Sequence, residues 1–171
     1  MIRAALLALL ATPSQAAMVH FCWAGGAGYS MTGTMEFPDA LLSAPVVTEA
    51  DVTAFRITGF KDGARIGSWD MATREADDIF ILFYLPETMH FPTNGEMTDW
   101  LDQAWNADGS ASDCGPGGFG FNAAGNAQDL CLDGVWIEES GVPPPTPFHA
   151  QAEPPASPDC GGPALVSKRA R

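Results

Sequence analysis

The sequence predicts an all-β fold, an antiparallel sandwich or flattened barrel with at most one short helix and two disulfides. Three observations predict it. Apolar and polar residues alternate with a period of two in several short runs. Gly, Asn, Asp and Pro punctuate those runs at short intervals. Four cysteines, Cys22, Cys114, Cys131 and Cys160, form an even set with no CxxC spacing, which disfavours a zinc knuckle or redox motif.

The elements follow in order. Residues 1–16 read as a signal peptide, with Arg3 in the n-region, an apolar stretch over 4–11 and Pro13 before Ser14-Gln15-Ala16. That apolar stretch is too short to span a bilayer. Residues 18–23 (MVHFCW) are a first strand, ended by a glycine-rich turn at 24–28. Residues 29–37 (YSMTGTMEF) alternate strictly and predict a half-buried strand. Residues 52–60 and 65–71 form a hairpin across Lys61-Asp62-Gly63, where glycine supplies the positive φ of a tight turn. Residues 79–85 (IFILFYL) are continuously apolar and predict a central strand buried on both faces.

From Thr98 the reading divides. Thr98 could cap a short helix with Trp100, Leu101, Ala104 and Trp105 on one face, and the same residues read equally as a strand. Residues 106–118 are loop, and residues 119–122 and 130–138 pair across 123–128. A domain over 17–140 is then followed by a proline-rich segment, 141–171, holding eight of the chain's 14 prolines. Such composition favours extended polyproline structure without a core of its own, tied down at Cys160. Of three connectivities for four cysteines, Cys114–Cys131 closes a local loop and Cys22–Cys160 staples the two ends, and this pairing is favoured.

Charge narrows the partners. Against 21 Asp and Glu stand 8 Lys and Arg, a formal net charge of −13. Arg56, Lys61, Arg65 and Arg74 share one short window, and Lys168, Arg169 and Arg171 lie at the far end. This field repels phosphate backbones and anionic lipid heads, so neither nucleic acid nor membrane insertion is expected, whereas a glycan or a basic protein partner is compatible.

Candidates for chemistry are few. His20, His90 and His149 fall in no HExxH or HxH pattern, and Gly67-Ser68-Trp69 is not a nucleophile elbow. The acidic pairs Asp77-Asp78 and Glu138-Glu139 point to opposite faces if they lie in strands, which weakens a glycan-hydrolase reading. Trp100 and Trp105 with Asp99 and Asp102 suggest a sugar platform, indole faces stacking on rings while carboxylates accept hydroxyl hydrogen bonds. Asn106, Asp108, Ser110 and Asp113 place oxygen ligands almost alternately, so calcium is the metal such a loop could hold, although no EF-hand Glu stands at position twelve. No cofactor is expected otherwise.

YSMTGTMEF, TEADVTAFRITGFKDG and GSWDM together resemble a pattern in small exported bacterial domains of the kind found in PEP-CTERM-type proteins. The likeness covers residues 28–71, and Val142-Pro143-Pro144 is not followed by the transmembrane helix of a sorting tail. The resemblance implies a β-rich exported domain and assigns no functional residue. The expectation is a periplasmic or secreted binding or structural domain without enzymatic activity. A carbohydrate-binding module is the alternative, and a glycan-acting hydrolase a more distant one.

Overall fold

The computed structural model describes residues 15–76, 78–99, 101–107 and 114–161. The chain forms two five-stranded antiparallel sheets packed face to face, with a two-stranded ladder at one side and no helix beyond two 3-10 turns among the described residues. The signal-peptide reading falls almost wholly on residues outside the described ones.

The first sheet opens with β1 (Ala16–Ala24), which turns through Ala27 and Gly28, both at positive φ, into β2 (Tyr29–Pro38). After a 3-10 turn at Asp39–Leu41, the short β3 (Val47–Thr48) leads to β4 (Ala54–Lys61) and β5 (Ala64–Asp70). Asp62 and Gly63, at φ 50° and 79°, make the expected tight turn between β4 and β5. Alternation decides which face each residue takes. Phe21, Met31, Met35, Phe55, Ile57 and Trp69 point into the core, while His20, Thr34 and Arg56 point out. Gly33 has no room for a side chain, because a Cβ would lie 2.1 Å from the ring of Phe21, its cross-strand partner.

The apolar run at 79–85 is not the single central strand its composition suggests. It splits into β6 (Phe80–Ile81), at the edge of the second sheet, and β7 (Phe83–Tyr84), which pairs with β3 in the side ladder. Phe80, Leu82 and Tyr84 face the core, whereas Ile79 and Ile81 pack on Ala104 in a small separate cluster. Two apolar surfaces account for the continuous run without a central position.

Between helix and strand at 98–105, pairing with the next strand decides for β8 (Leu101–Trp105). It is followed by β9 (Phe119–Ala124), β10 (Gln128–Leu132) and β11 (Val135–Val142). The expected strand over 130–138 is itself a hairpin, folded at Asp133 and Gly134 with φ 52° and 74°. The second sheet runs β11-β10-β9-β8-β6.

The proline-rich segment departs most from expectation. The boundary placed at 141 lies inside β11, and β12 (Ala150–Gln151) pairs with β1 to give the first sheet the order β12-β1-β2-β4-β5. Phe148 is 1% exposed, with its ring 5.0–5.7 Å from those of Phe21, Phe91, Trp105 and Phe121. The segment therefore contributes to the core, because one aromatic side chain and a short backbone ladder suffice to seat a chain otherwise unable to fold alone. Gln128 fixes its start: the amide oxygen accepts from the Trp23 indole at 2.9 Å, and the amide nitrogen donates to the carbonyls of Pro144 and Thr146 at 2.8 and 2.6 Å. Cys22–Cys160 and Cys114–Cys131 are the two disulfides, as the spacing favoured.

Candidate binding groove

The outer face of the first sheet is assembled by register. His20, Thr34, Arg56 and Asp70 stand opposite one another on four successive strands, and Cys22, Thr32, Thr58 and Ser68 form the next row. Above these rows the chain beyond β12 runs back as a strap. The Cys22–Cys160 disulfide fastens it, and the Ser30 hydroxyl donates to the Pro158 carbonyl at 2.6 Å. Strap and sheet enclose a groove of about 440 Å³. Its polar lining is Thr32, Thr34, Thr58, Ser157, His20 and Arg56, and Phe60 with Pro154, Pro155 and Pro158 supplies apolar surface. The volume falls within the ~300–1,000 Å³ usual for small-ligand sites.

Arg56 is held in place. Its Nε and Nη2 both donate to Asp70 Oδ2, at 2.9 and 2.5 Å, while Asp70 Oδ1 accepts the Ala72 N–H at 2.9 Å. The Ala72 amide first, and the Arg56 guanidinium second, hold the Asp70 carboxyl below its ordinary value. The Arg56 side chain nonetheless remains 67% exposed.

The residues singled out in the sequence lie elsewhere. Trp105 is 0% exposed and packs against Phe21, Phe55, Phe91 and Phe121, so it offers no face to a sugar. Asp102 is also fully buried, and its carboxylate accepts the backbone N–H groups of Glu96, Met97 and Thr98 at 2.9–3.1 Å. It shapes the loop before β8 and has no exposure to offer a ligand. Asp99 is exposed, and Trp100 lies outside the described residues. The calcium ligand set is not assembled among the described residues: Asn106 is nearly buried and donates from Nδ2 to the Phe119 carbonyl at 3.0 Å, whereas Asp108, Ser110 and Asp113 lie outside them.

Of the acidic pairs, Asp77 is not described, and Asp78 accepts from the Trp69 indole and the Glu75 amide. Glu138 and Glu139 are exposed on the edge strand β11. His90 Nε2 lies 3.1 Å from Glu96 Oε2, and its ring is 4.9 Å from that of His149. On the second sheet, burial pushes the Asp129 carboxyl up to about 6, opposed by its hydrogen bond from Asn122.

Sequence patterning alone does not reveal the groove. Its signals are the outward residues Ser30, Thr32 and Thr34 of β2, the cationic window from Arg56 to Arg74 within an acidic chain, and a proline run preceding a cysteine. What the pattern lacks is the fold-back that lays the proline run across the sheet. No family model matches the chain, and neither a curated protein nor a solved structure matches it.

Proposed function

We propose that this chain is an exported, non-enzymatic binding domain whose ligand seats in the groove between the first sheet and the strap. The observation that carries the reading is the groove's construction. A core-buried phenylalanine, a sheet pairing and a disulfide all fix the strap, so its far wall is preorganised and little ordering entropy is lost on binding. Export is supported by the leader over residues 1–16 and by two disulfides, which persist in oxidising compartments. The resemblance of residues 28–71 to exported β-rich domains points the same way, and a periplasmic or extracellular location follows from this reading.

The test is a thermal-melt panel on the oxidised domain with soluble saccharides, amino acids and small organic acids, repeated on Thr34→Trp, which fills the groove from its floor. A ligand at a hundred times its Kd adds about 2.7 kcal/mol, a rise of a few degrees for a domain of this size. The rise should vanish in Thr34→Trp. A ligand-dependent rise that survives this substitution would place the site elsewhere and overturn the reading. A calcium-dependent rise indifferent to Thr34 would favour the 106–113 loop instead.

A further inference from the structure

The chemistry of the lining goes further than a generic small ligand, and the inference drawn from it rests on the groove being the binding site. We propose that the groove recognises an acidic saccharide, with the ring carboxylate on Arg56 and the ring hydroxyls on the threonines of the sheet.

Arg56 keeps one edge to offer. Two of its guanidinium nitrogens are committed to a single oxygen of Asp70, and the other Asp70 oxygen is committed to the Ala72 amide. Asp70 therefore acts as a brace. Nη1 makes no hydrogen bond among the described residues, and the side chain stays largely exposed. A braced guanidinium with a free edge suits one planar carboxylate, since its donors match carboxylate geometry and its rotamer entropy is already lost.

Hydroxyls supply the complementary surface. Thr32, Thr34 and Thr58 line the groove, and none of their hydroxyls has a partner among the described residues. Each can donate and accept, as a sugar hydroxyl does. The strap prolines face them, and Phe60 stands beside Thr58 on the same strand, together supplying apolar surface that complements the C–H face of a pyranose ring. A plain fatty or aromatic acid would leave the threonines unused, and a neutral sugar would leave Arg56 unused.

Charge limits the anion to a weak one. Arg56 is the only Lys or Arg lining the groove among the described residues, Asp70 balances its charge in a salt bridge so that the guanidinium offers mainly directed N–H donors, and the chain carries a formal charge of −13. A phosphate dianion or a sulfated polymer would meet too little positive charge to offset that field, whereas a single carboxylate asks for one guanidinium.

The experiment is calorimetric titration of the oxidised protein with methyl galactopyranosiduronate, which carries one ring and one carboxylate, and with its methyl ester, which keeps the ring and hydroxyls and removes the charge. The acid should bind at least tenfold more tightly than the ester. Arg56→Gln should abolish that preference, and Arg56→Lys, which keeps the charge without the fork, should lose most of it. Thr34→Trp should abolish binding of both. Because Arg56 is on the surface, both arginine variants should melt within a few degrees of the parent, which shows that they fold.

Three results would overturn the proposal. Equal affinity for acid and ester, unaffected by Arg56→Gln but lost in Thr34→Trp, refutes carboxylate recognition while leaving the groove as a binding site. Binding of the acid that persists in Thr34→Trp refutes the groove as well. If the parent binds neither compound, acidic-saccharide recognition fails, and the melt panel alone then decides the groove.

Discussion

If Phe148 closes the core, its removal should be among the most damaging single changes in the chain. Phe148→Ala withdraws a ring that is 1% exposed and has four aromatic neighbours within 5.7 Å. At ~25 cal/mol per Å², the apolar area returned to water amounts to about 3 kcal/mol beyond what alanine retains. The vacated space adds a further 1–2 kcal/mol, roughly, if neighbours relax only in part. Pro147 and His149 flanking it are exposed, so the segment can settle inward and recover some of this. The expected loss is about 4 kcal/mol. Urea unfolding followed by tryptophan fluorescence measures it, as a midpoint lowered by ~2 M at unchanged m-value. His149→Ala is the matched control, with an expected change inside about 0.5 kcal/mol. A loss under ~1 kcal/mol for Phe148→Ala at constant m would show that the proline-rich segment merely rests on the sandwich, and that the core is complete without it.

Three other changes test separate parts of the structure. Replacing Cys22 and Cys160 together by alanine opens a link spanning 138 residues and should destabilise the oxidised domain by up to about 5 kcal/mol on chain-entropy grounds, read as a urea midpoint; a loss under ~1 kcal/mol would mean the staple adds nothing that the strap's other contacts do not. Asp102→Ala leaves three backbone N–H groups without their acceptor and should lose about 2 kcal/mol, with Asp102→Asn recovering part of it; equal losses in both would refute the acceptor role. Asp129, with its pKa raised to about 6 from 3.8, favours the folded state below its unfolded value and penalises it increasingly as pH climbs through 6. Asp129→Asn should therefore stabilise the domain by about 1–2 kcal/mol at pH 7.5, after allowance for its partial exposure, and by almost nothing at pH 3.5; the same gain at both values would rule out burial of the charge as its cause.

The sequence spoke clearly where physics is local. Alternation in residues 29–37 marks β2, and Asp62-Gly63 marks a hairpin because few other pairs accept two consecutive positive φ values. Asp133-Gly134 carries the same signal, yet the apolar residues on either side conceal it within one expected strand. Non-local facts are harder to read. Nothing in residues 79–85 reveals that Leu82 separates two ladders, since that depends on β3 and β8 arriving from far along the chain. Tryptophan is ambiguous for a related reason: Trp105 is as suited to a sugar platform as to a core, and only its neighbours decide. The groove depends on long-range closure throughout, because its floor comes from three strands near one end and its wall from prolines near the other.

The pairing of β12 with β1 also sets a timetable. The first sheet is opened by residues made early and closed by residues made late, so any fragment ending before Phe148 lacks part of the core it needs. At synthesis rates of ~5–20 residues per second, the apolar strands between them wait roughly 6–25 s with nothing complete to fold into. Antiparallel pairing between distant segments is slow even after that. The sandwich thus reaches its full core only once its last strand is free to dock, so the late-made segment and not the early strands decides when folding can finish.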